Sequence, residues 1–183
     1  MNGREVLIGV TGGIASYKTA ALVSKLAQAG AHVTVAMTDS AQKFVGTATF
    51  AALSGRPVAT RIFDEAAMPL GAHITLAQRA ELLCVAPATA NFLSKAAGGL
   101  ADDLLTTLYL CCTCPVLVAP AMNCEMWEKP AVQRNLAQLR QDGVHVVDPE
   151  AGWLSCRQQG VGRMAEPETI LAAIEQLLPP AAK

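Results

Sequence analysis

Val6-Leu7-Ile8-Gly9-Val10-Thr11-Gly12-Gly13-Ile14-Ala15-Ser16 is the stretch that decides the fold. A short apolar run rich in β-branched residues breaks into a loop of small residues. Over residues 14–29, Ala15, Leu22, Val23 and Leu26 then recur at helical spacing, with Gly30 as the stop. The same unit returns three times. Val33-Thr34-Val35-Ala36-Met37 runs into Thr38-Asp39-Ser40, Leu82-Leu83-Cys84-Val85-Ala86 into Pro87-Ala88-Thr89-Ala90-Asn91, and Val116-Leu117-Val118-Ala119 into Pro120-Ala121-Met122-Asn123. Runs this short and apolar on both faces suit parallel strands covered by helices. Helical patterns follow over residues 91–97, 101–110 and 130–141, a further strand over 144–147, and a last helix over 167–178 opened by Pro167. The alternation predicts an α/β fold: one doubly wound parallel sheet, Rossmann-like or flavodoxin-like, with helices on both faces. No linker or repeat interrupts it, so residues 1–183 read as a single domain. Residues 148–166 carry no periodicity, and a structureless loop of that length reads as a lid or binding loop.

Composition narrows the function. Of 183 residues, 52% are hydrophobic, 16% charged and 4% aromatic, against about 25% charged in an ordinary soluble domain. That excludes a disordered chain. Fourteen Lys+Arg against 15 Asp+Glu leave a net charge of −1, which argues against a nucleic-acid partner. The apolar excess predicts subunit interfaces, hence an oligomer. The most apolar stretch, residues 104–122, is broken by Thr106, Thr107, Thr113, Pro115 and Pro120, so no membrane span is expected. The N-terminus lacks an export signal, and the six cysteines read as reduced thiols of a cytoplasmic protein.

Open α/β sheets bind ligands at the carboxyl ends of their strands. Here the four post-strand loops hold Gly, Ser, Thr, Asn, Ala and Pro, with Asp39 their only charge. Ordinary turns favour the same residues; four such loops on one edge favour a site whose backbone N–H groups take a phosphate without Lys or Arg. The first loop is neither G-x-G-x-x-G nor a Walker A loop, and the second strand ends without the acid that grips an adenosine ribose. Hydroxyls at Thr38 and Ser40 suit a phosphate better than a diol, so FMN fits better than NAD or ATP.

Three histidines are present. His32 and His145 adjoin strand runs and read as structural, whereas His73 opens a new element where it could act as a base. Cys111-Cys112-Thr113-Cys114 lacks the second ligand pair that zinc wants, so no metal site is expected and core thiols at a helix end are the reading. Cys84 sits inside a strand. Cys156 differs, since it lies in the long loop beside Arg157, where a cation can activate a thiol. Trp127 and Trp153 read as packing.

Thr11-Gly12-Gly13-Ile14-Ala15-Ser16-Tyr17-Lys18, His73-Ile74, Ala86-Pro87-Ala88-Thr89-Ala90-Asn91, Ala101-Asp102-Asp103-Leu104-Leu105, Pro120-Ala121-Met122-Asn123 with Met126-Trp127, and Gly160-Val161-Gly162-Arg163-Met164 appear in this order. Together they resemble the homo-oligomeric flavin-containing cysteine decarboxylases, above all the branch that acts on phosphopantothenoylcysteine in coenzyme A biosynthesis. The resemblance implies FMN against Gly12, Gly13, Ile14, Ala15, Thr38, Ser40, Thr89, Ala90, Asn91, Phe92 and Ala121, at the boundary between subunits of a homotrimer that can assemble further, up to a dodecamer. It implies His73, Asn123 and Cys156 as catalytic residues, with Asn123, Met126 and Arg163 on the substrate. In the implied reaction, 4'-phospho-N-pantothenoylcysteine is oxidised at its cysteinyl Cβ with His73 assisting deprotonation. The thioaldehyde loses CO2, and Cys156 returns a proton as the electrons come back, giving 4'-phosphopantetheine. Residues 148–166 would clamp the substrate.

One departure stands out: the family's clamp reads Ala-Cys-Gly, whereas this chain has Ser155-Cys156-Arg157. That leaves open decarboxylation of a peptide's C-terminal cysteine. A non-catalytic flavin-binding regulatory subunit is the alternative from another class, against which the joint presence of His73, Asn123 and Cys156 argues. The chain ends near Lys183 without the synthetase half often fused behind such a domain, so a separate synthetase is the expected partner.

Overall fold

Side chains of β1 (Glu5–Val10) alternate between two apolar cores, and this alternation builds the architecture. In the computed structural model, which describes residues 1–62 and 71–178, Val6, Ile8 and Val10 enter one cluster and Leu7 enters the other. The first core lies under α1 (Ser16–Gln28), α2 (Thr47–Ser54) and α8 (Pro167–Leu177), through Leu22, Leu26, Phe50, Ile170 and Ile174. The second lies under α3 (Ala72–Arg79), α4 (Ala90–Ala97), α5 (Leu104–Cys111) and α7 (Pro130–Gln141), through Leu76, Leu93, Leu105, Leu108, Leu136 and Leu139. Burying each such side chain contributes about 1.5–3 kcal/mol.

Between the two layers, β2 (His32–Met37), β1, β3 (Leu82–Ala88), β4 (Val116–Pro120) and β5 (His145–Val146) pair in parallel in the order β2-β1-β3-β4-β5. This is the flavodoxin-like order, whose strand sequence reverses between β1 and β3 and leaves a crevice there. The doubly wound sheet with helices on both faces is therefore as the sequence predicts. Gly9 shows how tightly the layers close. A Cβ there would lie 2.5 Å from Leu105 Cδ1 and 3.2 Å from Val85 Cγ2, so the glycine lets α5 settle on the sheet.

Several expectations need correction. Residues 148–166 are not structureless, because β6 (Glu150–Trp153) and β7 (Gln159–Arg163) form an antiparallel hairpin apart from the main sheet. The helix expected over 101–110 starts at Leu104, after Asp103 and Thr106 close a capping box. The helix expected from residue 14 starts at Ser16, and the strand over 144–147 shrinks to His145–Val146. The cysteines at the end of α5 are not core thiols: Cys111 is exposed, Cys112 and Cys114 half-buried. Cys84 is buried as expected, and burial pushes its thiol up to about 12. A hydrogen bond from the Cys112 thiol raises Cys112 and lowers Cys114 to about 7. His32 is exposed beside Glu5, with Nδ1 at 3.2 Å from Oε1. No described helix is long and apolar enough to cross a membrane.

Candidate active site

Thr11 stitches the crevice together. Its Oγ1 donates to the Pro87 carbonyl at 2.7 Å and accepts from the Thr89 N–H at 3.1 Å, tying the end of β1 to the end of β3. Thr19 Oγ1 donates to the Ala86 carbonyl at 2.7 Å, and Ser16 Oγ to the Gly13 carbonyl at 2.6 Å. Of the loop's own N–H groups, that of Gly13 donates to the Thr11 carbonyl at 2.9 Å. Among the described residues no acceptor takes the N–H of Gly12, Ile14 or Ala15, which sit at the N-terminus of α1. Such a terminus attracts anions through free donors and the helix dipole. Gly12 is required here, because a Cβ would collide with Ser40 of the neighbouring loop.

Two cavities open from this edge. The larger, about 860 Å³, is lined by Thr11, Gly12, Thr38, Ser40, Thr89, Ala90, Asn91 and Phe92, and also by Arg61, Lys95, Asp102 and Asp103. Charge is therefore less absent than the loops alone suggest, although Lys95 is committed to Asp102 at 2.7 Å and to Asp103 at 3.6 Å. The smaller, about 370 Å³, is lined by Gly13, Ile14, Ala15, Ala121, Asn123, Met126, Trp153, Cys156 and Arg163. Gly12, Thr89, Ala90 and Met126 border both, so the two form one continuous site. Trp153, read from sequence as packing, is 68% exposed on the rim.

Asn123 and Cys156 meet in the smaller cavity. Asn123 is the N-cap of α6 (Cys124–Trp127); its Oδ1 accepts from the N–H groups of Glu125 at 2.8 Å and Met126 at 3.4 Å. Those bonds settle which end of the amide faces the cavity. Its Nδ2 points outward and donates to Cys156 Sγ at 3.1 Å. Asn123 thus presents N–H, the group a carboxylate needs.

The hairpin carrying Cys156 is anchored by charge. Arg163 Nη2 bonds Glu150 Oε2 at 2.9 Å and lies 3.5 Å from Glu166 Oε1, while Lys18 Nζ bonds Glu166 at 2.9 Å and the Met164 carbonyl at 3.0 Å. Lys18, a buried residue of α1, therefore braces the chain after β7 while also lining the smaller cavity beside Gly12 and Ala15. At the hairpin tip Arg157 adopts φ 63, the left-handed region where the resemblance has a glycine.

His73 stands apart. It occupies the first turn of α3, its Nδ1 is buried with no hydrogen-bond partner among the described residues, and it lines neither cavity. One chain does not bring it to Asn123 and Cys156. Two residues of the site escaped sequence reading. Gln158 touches Asn123 and Cys156, and Cys124 follows the cap, yet neither has a pattern that marks it beforehand.

A family model described as Flavoprotein matches residues 1–179. The chain belongs to this family. The coenzyme A biosynthesis bifunctional protein CoaBC of Bacillus subtilis (strain 168) is 51% identical over 176 residues, 96% of this chain and 43% of that protein. The chain thus spans less than half the length of the curated relatives it matches. A PPC decarboxylase variant solved with pantothenoylaminoethenethiol superposes at TM-score 0.86 and 30% identity, covering 97% of this chain and 99% of the other. The FMN-dependent cysteine decarboxylase SpaF superposes at TM-score 0.81 and 35% identity, covering 96% and 97%.

Proposed function

We propose that this chain is an FMN-dependent carboxy-lyase that converts 4'-phospho-N-pantothenoylcysteine to 4'-phosphopantetheine in coenzyme A biosynthesis. The observation that carries this reading is the 3.1 Å contact of Asn123 Nδ2 with Cys156 Sγ, beside an anion cradle at the switch point. A carboxylate-binding amide and a proton-bearing thiol lie within one substrate's reach. The likeness to CoaBC and to PPC decarboxylase supports the same reading.

The residues fit FMN. Gly12, Ile14 and Ala15 offer three unpaired N–H groups to its phosphate, with Ser40 and Thr38 alongside. Gly13, Thr89, Ala90, Asn91, Phe92 and Ala121 would surround the rest of the cofactor. Bound FMN would supply the chemistry that no side chain can, accepting a hydride from the cysteinyl Cβ and returning it once CO2 has left.

This chain's residues do the rest. Asn123 holds the substrate carboxylate through Nδ2, an uncharged donor that gives the departing CO2 group less electrostatic stabilisation than a cation would. Cys156 gives its S–H proton to the carbon that has lost CO2. The hairpin, held by Arg163 and Glu150, covers the substrate with Met126 and Trp153 and keeps water away. Within a homotrimer or larger assembly, His73 of a neighbouring copy would assist deprotonation of the substrate; its distance from both cavities in one chain supports a shared site. A cytoplasmic setting completes the reading.

The test is CO2 release from phosphopantothenoylcysteine beside a peptide ending in cysteine, with flavin-loaded protein. The small molecule should be turned over faster. Preference for the peptide would move the chain to the peptide-tailoring branch, and turnover of neither would remove the decarboxylase assignment. His73→Asn should still bind flavin yet lose turnover.

A further inference from the structure

Three donors converge on one atom at the hairpin tip. Gln158 Oε1 lies 3.6 Å from Cys156 Sγ, 3.6 Å from Cys124 Sγ and 3.5 Å from Asn123 Nδ2. Asn123 Nδ2 can only donate, so the amide presents its oxygen there and not its nitrogen. Asn123 Nδ2 also donates to the Cys156 sulfur and cannot accept its proton. Among the described residues, Gln158 Oε1 is therefore the acceptor for the Cys156 S–H.

The backbone holds this arrangement. Leu154 N–H donates to the Gln158 carbonyl at 2.8 Å and Arg157 N–H to the Leu154 carbonyl at 2.9 Å, closing a tight reversal. The left-handed Arg157 sits between Cys156 and Gln158 and lets both side chains turn toward α6. Gly160 keeps the space open, since a Cβ there would lie 2.8 Å from Cys124 Cβ.

We propose that Gln158 is the positioning residue for proton delivery, holding and aiming the Cys156 thiol through its side-chain oxygen. This rests on the decarboxylase reading above. In the step it serves, the S–H bond breaks, the proton joins the carbon vacated by CO2, and sulfur keeps the electron pair. Asn123 Nδ2 then stabilises the thiolate at 3.1 Å until solvent reprotonates it. Cys124 competes for the same oxygen, so its removal leaves that oxygen to Cys156 and Asn123.

Gln158→Leu removes the acceptor and Gln158→Glu keeps one. With flavin-loaded enzyme, CO2 release should stay within about twofold in Gln158→Leu. The share of turnovers ending in reduced product should fall roughly fivefold in Gln158→Leu, the size of one neutral hydrogen bond, and stay near wild type in Gln158→Glu. In flavin-free protein at fixed pH, mass spectrometry should find Cys156 alkylated by iodoacetamide several-fold faster in Gln158→Leu and slower in Gln158→Glu. Wild-type product ratio or wild-type alkylation in Gln158→Leu would overturn the proposal. Cys156→Ser separates the two failures. If it stalls after CO2 release while Gln158→Leu runs normally, only the role of Gln158 falls; if it forms normal product, the decarboxylase's proton donor was misassigned.

Discussion

The loop after β1 and the hairpin β6–β7 face the same substrate space but are built on opposite principles. The loop is backbone held by buried hydroxyls: those of Thr11, Ser16 and Thr19 are spent on carbonyls of the loop itself and of β3. The hairpin is a pair of short strands, exposed or half-buried but for Gly162, joined to each other by Arg163 and Glu150 and tied to the body through Glu166 and Lys18. A cofactor bound throughout a catalytic cycle suits a rigid cradle. A substrate that must enter and leave suits an arm whose attachments are few and polar.

Substitutions on the two sides should therefore fail differently. Gly12→Val pushes Ser40 away and displaces the unpaired N–H groups. Losing two hydrogen bonds to a charged phosphate at about 1.5 kcal/mol each predicts at least a hundredfold weaker FMN binding. Flavin titration of the folded apoprotein measures it, and near-normal affinity would show that the cradle lies elsewhere. Arg163→Met loosens the arm and leaves the cradle alone. KM should rise roughly three- to fivefold, matching a partly exposed ion pair of ~0.7–1 kcal/mol, with flavin affinity unchanged. Faster proteolysis between residues 153 and 159 should accompany it, and an equal loss of flavin would erase the distinction between the regions. The smallest effect belongs to the tip. Arg157→Gly relieves a left-handed side chain that costs about 1–2 kcal/mol, offset in part by glycine's larger entropy when unfolded. The net gain should raise the Tm by about 1–3 °C, and a lowered Tm would mean that the Arg157 side chain contributes contacts outweighing the strain.

The same contrast explains what could be read in the sequence. Parallel strands buried on both faces leave continuous apolar runs, so β1 to β4 and the loops after them were visible before any coordinates. The hairpin was not. Glu150–Trp153 and Gln159–Arg163 hold three glycines and few large apolar residues, so no hydrophobic alternation announces them. The α2 helix was missed for a related reason, since its apolar residues lack a one-sided pattern and Phe50 alone is buried. Cys156 stands out in the sequence by its place beside Arg157 in the long loop, whereas Asn123 takes a role only from the resemblance. Gln158 acquires meaning only from the atoms around it, which is a matter of three dimensions.

Consider finally the cap at Asn123. Its Oδ1 is held by two backbone N–H groups, so the fold asks for an oxygen there and is indifferent to the second atom. Asp at this position would serve α6 equally well and, on the proposed reading, would turn a donor for the substrate carboxylate into a repeller of it. A single exchange of nitrogen for oxygen would then silence the chemistry while leaving the protein folded and its flavin cradle intact. The scaffold thus keeps a short mutational road open between an enzyme and a carrier of flavin.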